Sequence, residues 1–91
     1  MREVVQWFGE RMEEELSKND HKRGWYGETP GWLFRRLRQE LDELGRALRG
    51  TRHMRSITTE QQANEIIAEA ADVANFAMMI ADKARQKRGS D

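Results

Sequence analysis

Glu69, Asp72 and Asn75 interrupt a stretch of sixteen residues, Ile66 to Ala81, whose other thirteen residues are all apolar. At about 100° per residue the spacing i, i+3, i+6 puts the three polar residues on one side of a helix. Two carboxylates one turn apart on a buried helix are costly unless something positive sits beside them. A second acid pair lies upstream. Leu33, Leu37, Leu41, Leu44 and Leu48 form a helical stripe. Glu40 falls inside it, about 20° from Leu33 on a helical wheel, and Glu43 lies on its edge. Both segments therefore aim acids at the region where they should pack together. Carboxylates from two facing helices make an all-oxygen site that suits Mg²⁺, with Mn²⁺ as the alternative. Zinc is poorly served by a chain with no cysteine and two scattered histidines. The structural alternative is ion pairing of these acids with Arg35, Arg36 or Arg38.

Helices are the elements that can hold such a site. The chain has one proline and no clean alternation of apolar and polar residues, so the expected fold is all-α. The first helix is expected over 2–17, with Val4, Val5, Phe8, Met12 and Leu16 at helical spacing. Residues 18–29 read as a loop unusually rich in aromatic and basic side chains. Thr29 as cap and Pro30 at the first helical position begin the second helix, which runs to Leu48 or Arg49 and stops at Gly50. After a loop over 50–58, Thr58 with Gln61, or Thr59 with Gln62, reads as a capping box for a third helix over 59–87. Trp7 and Trp32 are read as packing residues, and Met78 and Met79 as core or interface.

The 91 residues are read as a single domain, 1–91, with 16 Lys+Arg against 16 Asp+Glu and no net charge. A general nucleic-acid binder would carry a basic excess, so no stable nucleic-acid partner is expected. Apolar residues make up only 37% of the chain, too few for a self-sufficient core. A helix apolar all round must be covered all round. The three-helix protomer is therefore expected to form a four-helix-bundle-like core as a homodimer or homotetramer. No run reaches the length of a membrane span, and Glu3 falls where a signal peptide would begin its apolar stretch. A cytoplasmic protein is the expectation.

The segments Trp32-Leu33, Gln39-Glu40-Leu41-Asp42-Glu43-Leu44, Ala47-Leu48 and Glu65-Ile66-Ile67-Ala68-Glu69-Ala70-Ala71-Asp72-Val73-Ala74-Asn75-Phe76 resemble the MazG-like nucleotide pyrophosphohydrolases of the all-α NTP pyrophosphatase superfamily. The family signature is Glu-Glu-x-x-Glu, a spacer, then Glu-x-x-Asp. Lys22-Arg23-Gly24-Trp25-Tyr26 also looks like the loop that precedes the second helix in short members. The resemblance implies Mg²⁺-dependent, house-cleaning cleavage of a nucleoside triphosphate to the monophosphate and pyrophosphate. It implies that Glu40, Glu43, Glu69 and Asp72 are the metal-holding catalytic acids. Phosphoribosyl-ATP pyrophosphatase shares the acid pairs, but Val73 to Met79 looks more MazG-like.

The first acid of the signature is Gln39 here. An amide cannot take a proton from water at neutral pH, so a general-base or extra-metal role at that position is put in question. A slow enzyme, a base supplied by the metal's own water, and a non-catalytic nucleotide binder stay open. Substrate contacts are expected from Asn75 to sugar or base, from Trp25 and Tyr26 by stacking, and from His21, Lys22 and Arg23 to phosphates. Lys83, three turns beyond Asp72, is expected to reach phosphate in a neighbouring subunit. The competing reading from another class is a non-enzymatic helical interaction protein whose acids pair with arginines. Its basic loop over 46–55 could touch RNA.

Overall fold

The computed structural model describes residues 1–20 and 24–89, which form helices α1 (Glu3–Ser17), α2 (Pro30–Arg49) and α3 (Glu60–Gly89). The protein is all-α: among the described residues there is no strand. Each helix lies within a residue or two of its expected bounds, because the caps are written in the sequence. The Thr29 hydroxyl accepts from the Trp32 backbone N–H at 3.0 Å, with Pro30 at the first helical position. At α3 the Thr59 hydroxyl accepts from the Gln62 N–H at 3.1 Å. The Gln62 side chain reaches back one residue further than a standard capping box and accepts from the Thr58 N–H at 3.0 Å.

Gly50 ends α2 without using its conformational freedom, since its φ is −71°. The stop comes from the next residue: the buried Thr51 hydroxyl donates to the Leu48 carbonyl at 2.6 Å. Left-handed backbone appears instead at His53 (φ 54°) and Met54 (φ 59°). These two residues form the tip of a tight turn closed by the Arg55 N–H on the Arg52 carbonyl at 3.0 Å. Two successive positive φ values are the mark of the mirror-image hairpin turn, which explains the lone antiparallel bridge between Arg52 and Ser56.

α3 is the common partner. At about 1.5 Å per residue its 30 residues span roughly 45 Å, close to the 49 Å long dimension of the molecule. Among the described residues α2 and α1 both pack on α3 and not on each other. The α2–α3 seam holds the dry centre, where Leu33 and Ala71 are fully enclosed. α1 contributes less: Phe8, Met12 and Leu16 are half-buried, while Val4 and Val5, expected in the same stripe, are exposed. Trp7 and Trp32, read as packing residues, are partly covered, at 36% and 37% exposed. Both stand at the surface of the protomer, Trp7 tilted against Phe8.

Truncating Leu33 removes the one large side chain that is wholly enclosed among the described residues. Leu33→Ala should lower the free energy of urea unfolding by about 2–5 kcal/mol. Leu41→Ala, at a half-exposed position of the same helix, should lower it by less than half as much.

Candidate metal centre

The packing of α2 on α3 turns two short acid motifs into one cluster. Glu40 and Glu43, one turn apart on α2, meet Glu69 of α3 with one oxygen of each carboxylate within 4.8 Å of the others. Glu40 is 7% exposed because it replaces a leucine in the packed stripe. The fourth expected acid, Asp72, lies one turn beyond Glu69 and outside this tight trio. Asp72 and Glu40 line a cleft of about 720 Å³, whereas Glu43 and Glu69 line a neighbouring concavity of about 420 Å³ with Arg46. The four acids thus bridge two depressions.

The carboxyls of Glu40, Glu69 and Asp72 lie in a poorly hydrated place beside like charge, and their proton affinities rise. Glu40 is pushed up to about 7, first by burial, then by a hydrogen bond and charge repulsion from Glu43 and by Asp72, with Arg36 opposing. Glu69 is raised by burial and then by Glu43 and Asp72. Asp72 is raised by burial and then by Glu15, with Lys18 and Arg36 opposing. The site is short of positive charge. Among the described residues the one cation in direct contact is Arg36, whose Nη2 meets Glu40 Oε1 at 2.8 Å. The expected arginine pairing is therefore realised at one acid of the four. Glu69 Oε2 is buried with no hydrogen-bond partner. A trio of hard carboxylate oxygens with a buried, unpartnered lone pair is the donor set that a small divalent cation takes.

The larger cleft runs into the gap between α1 and α2, above α3. Trp25, Trp32, Phe76 and Met79 supply its apolar wall. Trp25 comes from the loop and is anchored at long range: its indole N–H donates to Asp82 Oδ2 at 3.0 Å. Asp82 is buried at the far end of α3 and also accepts from Arg85 and Gln86. These donors, Trp25 foremost, hold its carboxyl below the usual range. Tyr26 stacks on Trp25 with ring centroids 5.5 Å apart but is exposed and outside the cleft. Lys83 donates to the Tyr26 carbonyl, so within the protomer it straps the loop to α3. Asn75 is buried in the cleft wall. Gln39 is exposed, and its amide oxygen accepts from Arg36. His21, Lys22 and Arg23, the expected phosphate ligands, lie outside the described residues.

Sequence reasoning missed three contributors. Arg36 appeared only as one of three candidate ion-pair partners. The structure gives it a triple role, on Gln39, on Glu40 and over the Phe76 ring at 5.1 Å. Glu15 faces Asp72 from α1, a tertiary relation with no local signal. Asp82 sits just past the apolar run, seven residues after Asn75 and so on nearly the same helix face, which was a usable signal. Comparison with protein-family models, with curated proteins and with solved structures finds no match for this chain.

The raised carboxyls set a pH dependence. Glu40 has a folded value of about 7 against an ordinary 4.5, so its stabilising contribution is complete below about 4.5 and lost as pH climbs through 7. Without divalent cations, stability should fall between about pH 4.5 and 8 as the acid cluster gives up the proton that Glu40 holds. Thermal melts across that range should show the decline, and Glu40→Gln, neutral throughout, should flatten it.

Proposed function

We propose that this protein is a Mg²⁺-dependent nucleoside triphosphate pyrophosphohydrolase of the MazG-like kind, acting in the cytoplasm. The observation that carries the reading is the convergence of Glu40, Glu43 and Glu69, from two facing helices, within 4.8 Å at the edge of a cleft of about 720 Å³. That volume accommodates a ligand of nucleotide size. No described helix is long and apolar enough to cross a membrane, which is compatible with this setting.

In this reading Glu40, Glu43 and Glu69 hold the cation, and Asp72 completes the set from the cleft side. When bound, Mg²⁺ supplies Lewis-acid stabilisation of phosphate charge and a more acidic attacking water. The chain's own groups do the remainder. Asp72, on the cleft side of the cluster, orients the water, and a carboxylate oxygen of Asp72 not engaged by the cation takes the proton as the water oxygen bonds to the α-phosphorus. The bond to the bridging oxygen breaks and pyrophosphate departs. Trp25 and Trp32 flank the nucleoside end. Gln39 stands where the family has a first glutamate and, in contact with Arg36, orients the guanidinium that meets Glu40. It is a positioning residue in this reading, not a base.

The Arg36–Glu40 pair is the one observation that favours the competing reading of a non-enzymatic interaction protein whose acids are neutralised by arginines. Purified protein incubated with NTPs, dNTPs and Mg²⁺ should release pyrophosphate, a chelator should stop the release, and Glu69→Gln should slow it about 100-fold or more. No release from any nucleotide, with no Mg²⁺-induced rise in melting temperature, decides for the interaction protein.

We further propose that the working form is a dimer or tetramer. Phe34 and Leu41 lie two turns apart on α2 and are 53% and 50% exposed, and most of the apolar residues of α3 remain half-buried. A second copy covering these faces would complete the four-helix core. Light scattering should give a mass of two or four chains, and Phe34→Glu with Leu41→Glu should shift it to one.

A further inference from the structure

Asn75 is 3% exposed in the wall of the larger cleft, and its amide is half-satisfied. Nδ2 donates to the Met12 carbonyl of α1 at 3.1 Å. A carbonyl can only accept, so this bond fixes which way the amide faces. Oδ1, on the other side, is buried and has no partner. A buried acceptor left without a donor is destabilising until one arrives.

The rest of the polar lining points the same way. Glu13, Glu15 and Glu28 bring further acceptors to the cleft. Its donors are largely engaged: Trp25 on Asp82, and Arg36 on Gln39 and Glu40. The indole N–H of Trp32 stands on a more exposed side chain. A ligand that fits must therefore bring hydrogens, and two lone pairs facing each other would be repelled.

We infer that Asn75 Oδ1 accepts from the exocyclic amino group of cytosine or adenine, so that the cleft selects these two bases over uracil, thymine and guanine. The inference rests on the nucleotide reading of the site and specifies which nucleotides it takes. Uracil, thymine and guanine carry carbonyl oxygens where cytosine and adenine carry amino groups. Seated in the same pose, they would set a lone pair against Asn75 Oδ1 and against the glutamates. Rejection by an unpaired buried acceptor exceeds what a missing methylene achieves in an apolar pocket.

The test separates base reading from hydrolysis. Cytidine, adenosine, guanosine, uridine and thymidine, which lack phosphate, are titrated into metal-free protein, and the indole N–H resonances of Trp25 and Trp32 are followed by NMR. Cytidine and adenosine should bind about tenfold or more tightly than guanosine, uridine and thymidine. Asn75→Ala should bring the cytidine-to-uridine ratio towards one. Because both affinities come from one sample, the ratio does not depend on how much of the variant is folded. Equal affinities, a preference for uridine, or no perturbation by any nucleoside overturns the inference, even if pyrophosphate release proceeds. Selectivity without pyrophosphate release from any triphosphate supports base reading and sinks the hydrolase proposal alone.

Discussion

Three carboxylates within 4.8 Å of one another are a concentration of like charge that the packing of α2 on α3 has to hold together. If all were ionised, each pair at that range would repel by roughly 3–4 kcal/mol in a medium of effective dielectric near 20. The seam that opposes this is narrow, with Leu33 and Ala71 its fully enclosed apolar members. Two releases are available: a carboxyl keeps its proton, or a cation arrives. Glu40, pushed up to about 7, shows the first, and Arg36 against its Oε1 supplies a small part of the second. The unpartnered Glu69 Oε2 marks where compensation is still owed. Local strain of this kind is what a tight acid cluster costs a small fold.

The cleft beside the acids follows from a different constraint. α1 and α2 both pack on α3 without packing on each other, so a gap is left between them. The described part of the loop walls this gap through Gly24, Trp25 and Glu28. It is fastened to the far end of α3 through Trp25 to Asp82 and through Lys83 to the Tyr26 carbonyl. One long helix thus carries, in order, a cluster acid at Glu69, a cleft carboxylate at Asp72, an amide at Asn75 and a loop anchor at Asp82. The seven-residue step from Asn75 to Asp82 returns to nearly the same face, which lets a single rigid element set both the floor of the cleft and the position of its wall.

The apolar pattern of the chain is out of proportion to the core of one protomer. Most apolar side chains of α3 are only half-buried, and Phe34 and Leu41 of α2 stand half in water. A small chain with few fully enclosed side chains has little to set against the entropy of folding. The proposed association of copies answers that shortage and would do so without drawing on the acid cluster.

Helix type and bounds were legible because their causes are local. Thr29 with Pro30, Thr59 with Gln62, and the leucine stripe of α2 each act within a turn or two of chain, and the structure uses all three. The four acids were legible for the same reason, as interruptions in apolar runs. What the sequence alone could not decide was how acids on separate helices share their space. Glu43 joins Glu40 and Glu69 while Asp72 opens into the larger cleft, Glu15 approaches Asp72 from α1, and Arg36 is chosen over Arg35 and Arg38. Trp32 sat beside a buried leucine in sequence yet lines a cleft at the surface. Gly50 promised a left-handed stop that the backbone placed at His53 and Met54. Periodicity and capping are properties of one helix in isolation. Which faces meet, and which polar atom is left buried without a partner, depends on the rotation and offset of one helix against another, and that is decided only when the core closes.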